Sequence, residues 1–141
     1  MNAYAQSVDT YLVQRVMGAS SEQQAALLME AGQRYIGKGL KALELKDHAE
    51  AARCFIRVTD IINESVCRLN YDDGGELVQN LLKVYRWWTQ EILEGSKAKD
   101  SARLMAVSKH MGEIRQAWEQ LHEKKAQAIS PSEFLVGNLV G

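Results

Sequence analysis

The sequence predicts an all-α protein, an antiparallel up-down four-helix bundle with a shorter N-terminal helix. Three observations carry this. The sole proline, Pro131, lies close to the end of the chain, so nothing before it forbids helix. Serine or aspartate followed three positions later by glutamine or glutamate recurs where helices would start. Between these signals, apolar residues return in steps of three and four, the spacing of one helix face.

Each element follows in order. A short helix is expected from about Tyr4 to Met17, stopped near Gly18. Ser20 or Ser21, with Gln23 or Gln24 in capping-box spacing, opens a helix that continues to about Leu45. Asp47 with Glu50 starts the next, which ends near Leu69 and shows the seam Phe55, Thr59, Ile62, Val66 and Leu69. Asp73 at an N-cap with Glu76 at the third helical position starts another, ending near Gly95, with Leu77, Leu81, Tyr85, Trp88 and Ile92 along one side. Asp100 caps the last, reaching about Ala128 along the seam Leu104, Val107, Met111, Ile114, Trp118 and Leu121. Residues 1–128 thus form one helical domain, followed by an apolar tail, 129–141.

The composition narrows the function. The chain has 141 residues, 46% hydrophobic and 25% charged, an ordinary globular mix with enough length for one core. Lys+Arg 17 against Asp+Glu 18 leaves a net charge of -1, without the basic excess of a nucleic-acid binder. No apolar run approaches the roughly 18 residues of a membrane span. The start, MNAYAQSVDT, lacks the basic and apolar stretches of a secretory signal. A cytoplasmic protein without membrane insertion is expected.

Several motifs look chemical and resolve into structure. Asp72-Asp73-Gly74-Gly75 could pass for a calcium or phosphate loop. Counted from Asn70, however, position twelve of a calcium loop is Leu81 rather than glutamate, and no Lys-Ser/Thr follows the glycines. The corner reads as a helix cap. Glu119-Gln120-Leu121-His122 is an E-x-x-H, but a di-metal bundle needs two copies and two further glutamates; a solvated helix face is the expectation. Cys54 and Cys67 match no zinc or redox pattern, and both are expected to be buried small residues. No nucleophile, metal or cofactor site is expected.

The helices carry more apolar residues than one seam each can use. Cys54, Val58 and Ile61 make a second stripe beside the Phe55 seam, and Val78, Leu82 and Trp87 do the same on the following helix. Either the N-terminal helix covers this surplus, or it forms a groove for another protein's helix. The tail, with Phe134, Leu135, Val136, Leu139 and Val140, could cover the same surface. A homo-oligomer pairing these stripes, or a di-metal enzyme, are the rival classes.

In order and spacing the residues also resemble a known family. Ala3-Tyr4-Ala5-Gln6 is similar to one opening of the flagellar secretion chaperones of the FliS family, and Tyr11, Val16, Ala19 and Ser20 fit its Tyr-x4-Val-x2-Ala-Ser/Thr pattern. Leu69, Gly74-Gly75-Glu76-Leu77, Asn80-Leu81 and Tyr85 resemble its L-D-x3-G-G-E-[IL]-x2-N-L-x3-Y signature, and Ile114-Arg115-Gln116-Ala117-Trp118 its I-R-x-A-W. The likeness spans about residues 3 to 121. It departs at Ser21, where the family usually has proline, at Leu28-Met29-Glu30, at Asn70 and at Gly95-Ser96.

The resemblance implies a chaperone without catalysis. It would hold the disordered C-terminal segment of flagellin, prevent premature polymerisation and assist delivery to the flagellar type III export apparatus, with the export gate or a cochaperone as further partners. The surplus stripes then suggest Val58, Ile61, Val78, Leu82 and Trp87 as partner-binding residues. Tyr4 and Tyr11 join them, because the family's N-terminal aromatic segment can fold over its own binding surface.

Overall fold

In a computed structural model of the chain, the structure describes residues 20–72 and 74–128. Regular structure among them is entirely helical: α1 Ser21–Glu44, α2 His48–Cys67, α3 Gly75–Ala98 and α4 Ser101–Ala128. The expected helix at Tyr4–Met17, Asp73 and the 129–141 tail lie outside the described residues.

The caps explain most of the boundaries. Ser20 Oγ accepts from the Gln23 backbone N–H at 3.2 Å, and the Ser20 N–H donates to Gln23 Oε1 at 3.0 Å, a complete capping box. Asp47 accepts from the Glu50 N–H at 3.2 Å, but Glu50 turns its carboxylate to Arg53 instead of closing the box. Asp100 accepts from the Arg103 N–H at 3.1 Å and opens α4. α3 departs from expectation. Its N-cap is Gly74, with no side-chain cap bond, and it runs through Gly95 to Ala98. Gly95 is helical and buried, with the Leu104 side chain 3.0 Å from where a Cβ would stand.

The two corner glycines serve different needs. A Cβ on Gly74 would fall 1.7 Å from Val78 Cγ2 and 2.6 Å from the Asn70 carbonyl oxygen, so no larger residue fits. Gly75 has open space around it but adopts φ +55, the left-handed region that favours glycine.

Consecutive helices pack on each other, and α1 also packs on α4; α1 makes the most extensive contacts, with α2 and α4. Side-chain contacts mark three of these pairs. Gln24 meets Arg68 and Gly39 meets Phe55; Ser20 meets His122 and Gln33 meets Ser108; Tyr85 meets Trp118 and Trp88 meets His110. Small residues let α1 approach closely: Ala26, Ala31, Gly32, Gly39 and Ala42 are all buried. The core they close over includes Met29, Ile36, Phe55, Ile62, Tyr85, Trp88, Ile92, Leu104, Val107 and Met111.

This close approach decides how the apolar surplus is used. The Cys54, Val58 and Ile61 stripe is buried, and Ile61 lies beside Gly32 of α1. α2 is thus apolar on two sides because it faces two neighbours, α1 and α3. Two further expectations are corrected. Leu77 is 61% exposed while Val78, covered by the Gly74 corner, takes the inward place. Cys67 is exposed; Cys54 alone is buried, and both thiols are free.

Candidate partner-binding surface

Val58 is fully buried, and Ile61 and Val78 are nearly so, at 9% and 6% exposure. These three residues face the core and present almost no surface to a partner. Leu82 is half-buried, and Trp87 is 48% exposed. Tyr4 and Tyr11 lie outside the described residues. The structure therefore does not gather the expected residues into one exposed patch.

It opens an apolar groove elsewhere, between α2 and α3. Ala52, Phe55 and Ile56 line one wall; Ile92, Leu93, Ser96 and Lys97 line the other, around a volume of about 220 Å³. Phe55 and Ile92 belong to the buried core and form its floor, while Ile56 and Leu93 stand at its mouth, 58% and 55% exposed. The sequence signal was present but weak. Ile56 and Leu93 each directly follow a seam residue, Phe55 and Ile92, which rotates them about 100° off the seam. Leu82 shares a face with Leu93, eleven positions or about three turns away. The groove's upper α3 wall thus continues toward one of the expected residues. Covering such apolar surface contributes about 25 cal/mol per Å².

The polar groups near the bundle surface are engaged in structure. Glu119 pairs with Arg115 at 3.2 Å, and His122 Nδ1 lies 3.0 Å from Ser20 Oγ, so the E-x-x-H residues serve helix packing and the α1 cap. His122 is half-buried, less exposed than a solvated face implies. Glu22 pairs with Lys125 at the same end, and this hydrogen bond is the main reason its carboxyl is held below the usual carboxylate range. Arg103 holds both Glu91 and Glu94, tying α4 to α3. Burial pushes the Cys54 thiol up, with Glu50 adding to the effect, so it is a poor nucleophile. Among the described residues, no three His, Cys, Asp or Glu side chains are grouped to hold a metal, and no helix is long and apolar enough to cross a membrane.

Helices enclosing a core, with an open apolar groove on one flank, make a surface suited to holding an apolar segment. The chain belongs to the FliS family: the family model described as "Flagellar protein FliS" matches residues 3–125. It is 25% identical over 126 residues to the flagellar secretion chaperone FliS of Salmonella typhimurium, covering 88% of this chain and 90% of that one. Over 119 residues it is 24% identical to the flagellar secretion chaperone FliSB of Pseudomonas aeruginosa, covering 84% and 94%.

Proposed function

We propose that the chain is a cytoplasmic flagellar export chaperone, folded as an antiparallel up-down four-helix bundle with a shorter N-terminal helix. It binds the disordered C-terminal segment of flagellin, keeps subunits from polymerising early and assists their delivery to the flagellar type III export apparatus. The observation that supports this most is the α2–α3 groove in a chain of the FliS family. An amphipathic client segment lays its apolar face between Ile56 and Leu93 and extends past Leu82. Trp87, on the far margin of α3, is a second contact for a client that wraps around the helix. Val58, Ile61 and Val78 support these surfaces from beneath. Tyr4 and Tyr11 belong to a segment that competes for the client surface.

Ordering the client costs roughly 2–5 kcal/mol or more, which a long apolar contact has to offset. Calorimetric titration with the C-terminal segment of flagellin from the same genome tests the reading. The expected result is saturable one-to-one binding with a negative heat-capacity change and a gain of helix. Leu93→Asp should weaken it at least tenfold while leaving the helix content unchanged, because Leu93 is already exposed. Wild-type affinity in a folded Leu93→Asp chain places the client elsewhere; no binding by the wild type sinks the proposal.

A further inference from the structure

Two histidines of α4 hold neighbouring helices through unlike bonds. His122 faces the Ser20 hydroxyl, which can donate or accept. His110 faces the indole N–H of Trp88, which can only donate: Trp88 Nε1 gives its proton to His110 Nδ1 at 2.9 Å. Trp88 is fully buried, so this N–H has no water to turn to. The two rings meet edge to face at 5.2 Å, and the half-exposed Trp87 touches the same imidazole edge-on at 6.2 Å. The bond requires a bare Nδ1. A proton placed there sets two donors against each other and strands a buried donor.

We infer that His110 is a proton-sensitive fastening between α3 and α4, closed while its imidazole is neutral and opened when Nδ1 takes up a proton. The charged groups around it leave this contact intact. On α3, Lys83, Arg86 and Glu91 lie within about a turn of the tryptophans, and Glu91 is bound by Arg103. On α4 itself, Lys109 and Glu113 are its neighbours in register. From α1, uncharged Gln33 meets Ser108 and Arg115, and Glu30 pairs with Arg34. None of these replaces the acceptor that Trp88 loses.

The consequence reaches the groove. Ile92 on its floor is one turn along α3 from Trp88, and Leu93 follows it. Acidification that loosens α3 from α4 therefore disturbs the groove from behind. This last step rests on the proposed function; the fastening itself does not. The bond contributes to stability while Nδ1 is bare, and its contribution is lost once Nδ1 is protonated.

The test follows the indole N–H signals of the ¹⁵N-labelled chain, and its denaturant midpoint, between about pH 8 and pH 5. The Trp88 indole signal should shift as the solution is acidified, and the midpoint should fall along with it. His110→Asn, whose Oδ1 accepts in place of Nδ1 at any pH, should flatten both changes. His122→Asn should leave the titration of the Trp88 signal in place. A Trp88 indole signal that does not move in the wild type overturns the inference without need of a variant. So does a His110→Asn chain that folds and retains the wild-type pH response. Client affinity that holds steady while the fastening titrates would refute only the coupling to the groove.

Discussion

The Phe55 ring occupies the space that a Cβ on Gly39 would need: its Cε1 and Cζ atoms lie 2.6 Å from that position. The glycine therefore sets how close α1 comes to α2. In an exposed helix, glycine to alanine stabilises by roughly 1 kcal/mol. At Gly39 the ring is buried and cannot swing out, and overpacking of this kind costs about 1–3 kcal/mol. Gly39→Ala is expected to lower stability, whereas Gly37→Ala, two positions away with nothing within 4 Å, is expected to raise it by about 0.5–1 kcal/mol. Urea midpoints of the two variants should move in opposite directions.

Two lysines sit where glycine would be easier. Lys46 at φ 58 and Lys99 at φ 54 end α1 and α3 in the left-handed region. Each allows the reciprocal bonds of a Schellman motif: Asp47 N–H to Ala42 O and Lys46 N–H to Leu43 O, then Asp100 N–H to Gly95 O and Lys99 N–H to Ser96 O. A left-handed residue with a side chain costs roughly 1–2 kcal/mol, part of which glycine returns as unfolded-state entropy. Lys46→Gly and Lys99→Gly should each stabilise by about 0.5–1 kcal/mol, read as a higher thermal midpoint.

Burial pushes the Tyr85 phenol up, and the hydrogen bond it accepts from Trp118 Nε1 at 3.4 Å offsets only part of that. The folded chain thus favours the neutral phenol. Its contribution is complete below the ordinary value near 10 and is lost as pH rises through the raised one. Tyr85→Phe should cost about 1 kcal/mol at neutral pH by removing one hydrogen bond. Above about pH 10, its urea midpoint should fall less steeply than that of the wild type.

At the end where α1 begins, Glu22 behaves in the opposite sense. Its carboxyl is held low, first by the hydrogen bond from Lys125 and with help from its own backbone N–H. The stability it supplies is present above the ordinary carboxylate value and lost as pH falls through the lowered one. Glu22→Gln should reduce the acid sensitivity of the chain below about pH 4.5, with little change at pH 7, since the pair is partly solvated. Acid titrations followed by circular dichroism measure the difference.

By itself the sequence determined the four described helices, most of their caps and the family. Ser20 with Gln23, Asp47 with Glu50 and Asp100 mark three starts because a cap needs only residues a turn apart, a local relation that any one stretch can show. The family signature was legible for the same reason: it is carried by order and spacing along the chain, over about the residues, 3–125, that the family model matches. Which apolar residues face water was not written locally. Val58 and Leu77 both continue helical stripes, yet one is fully buried and the other 61% exposed. The close approach of α1 at Gly32 and Gly39, and the corner at Gly74, determine which stripes are covered. The α2–α3 groove likewise needs two walls whose lining residues lie about forty positions apart in the chain. Burial is a property of neighbours in space, so the groove's lining emerged only once the helices were packed.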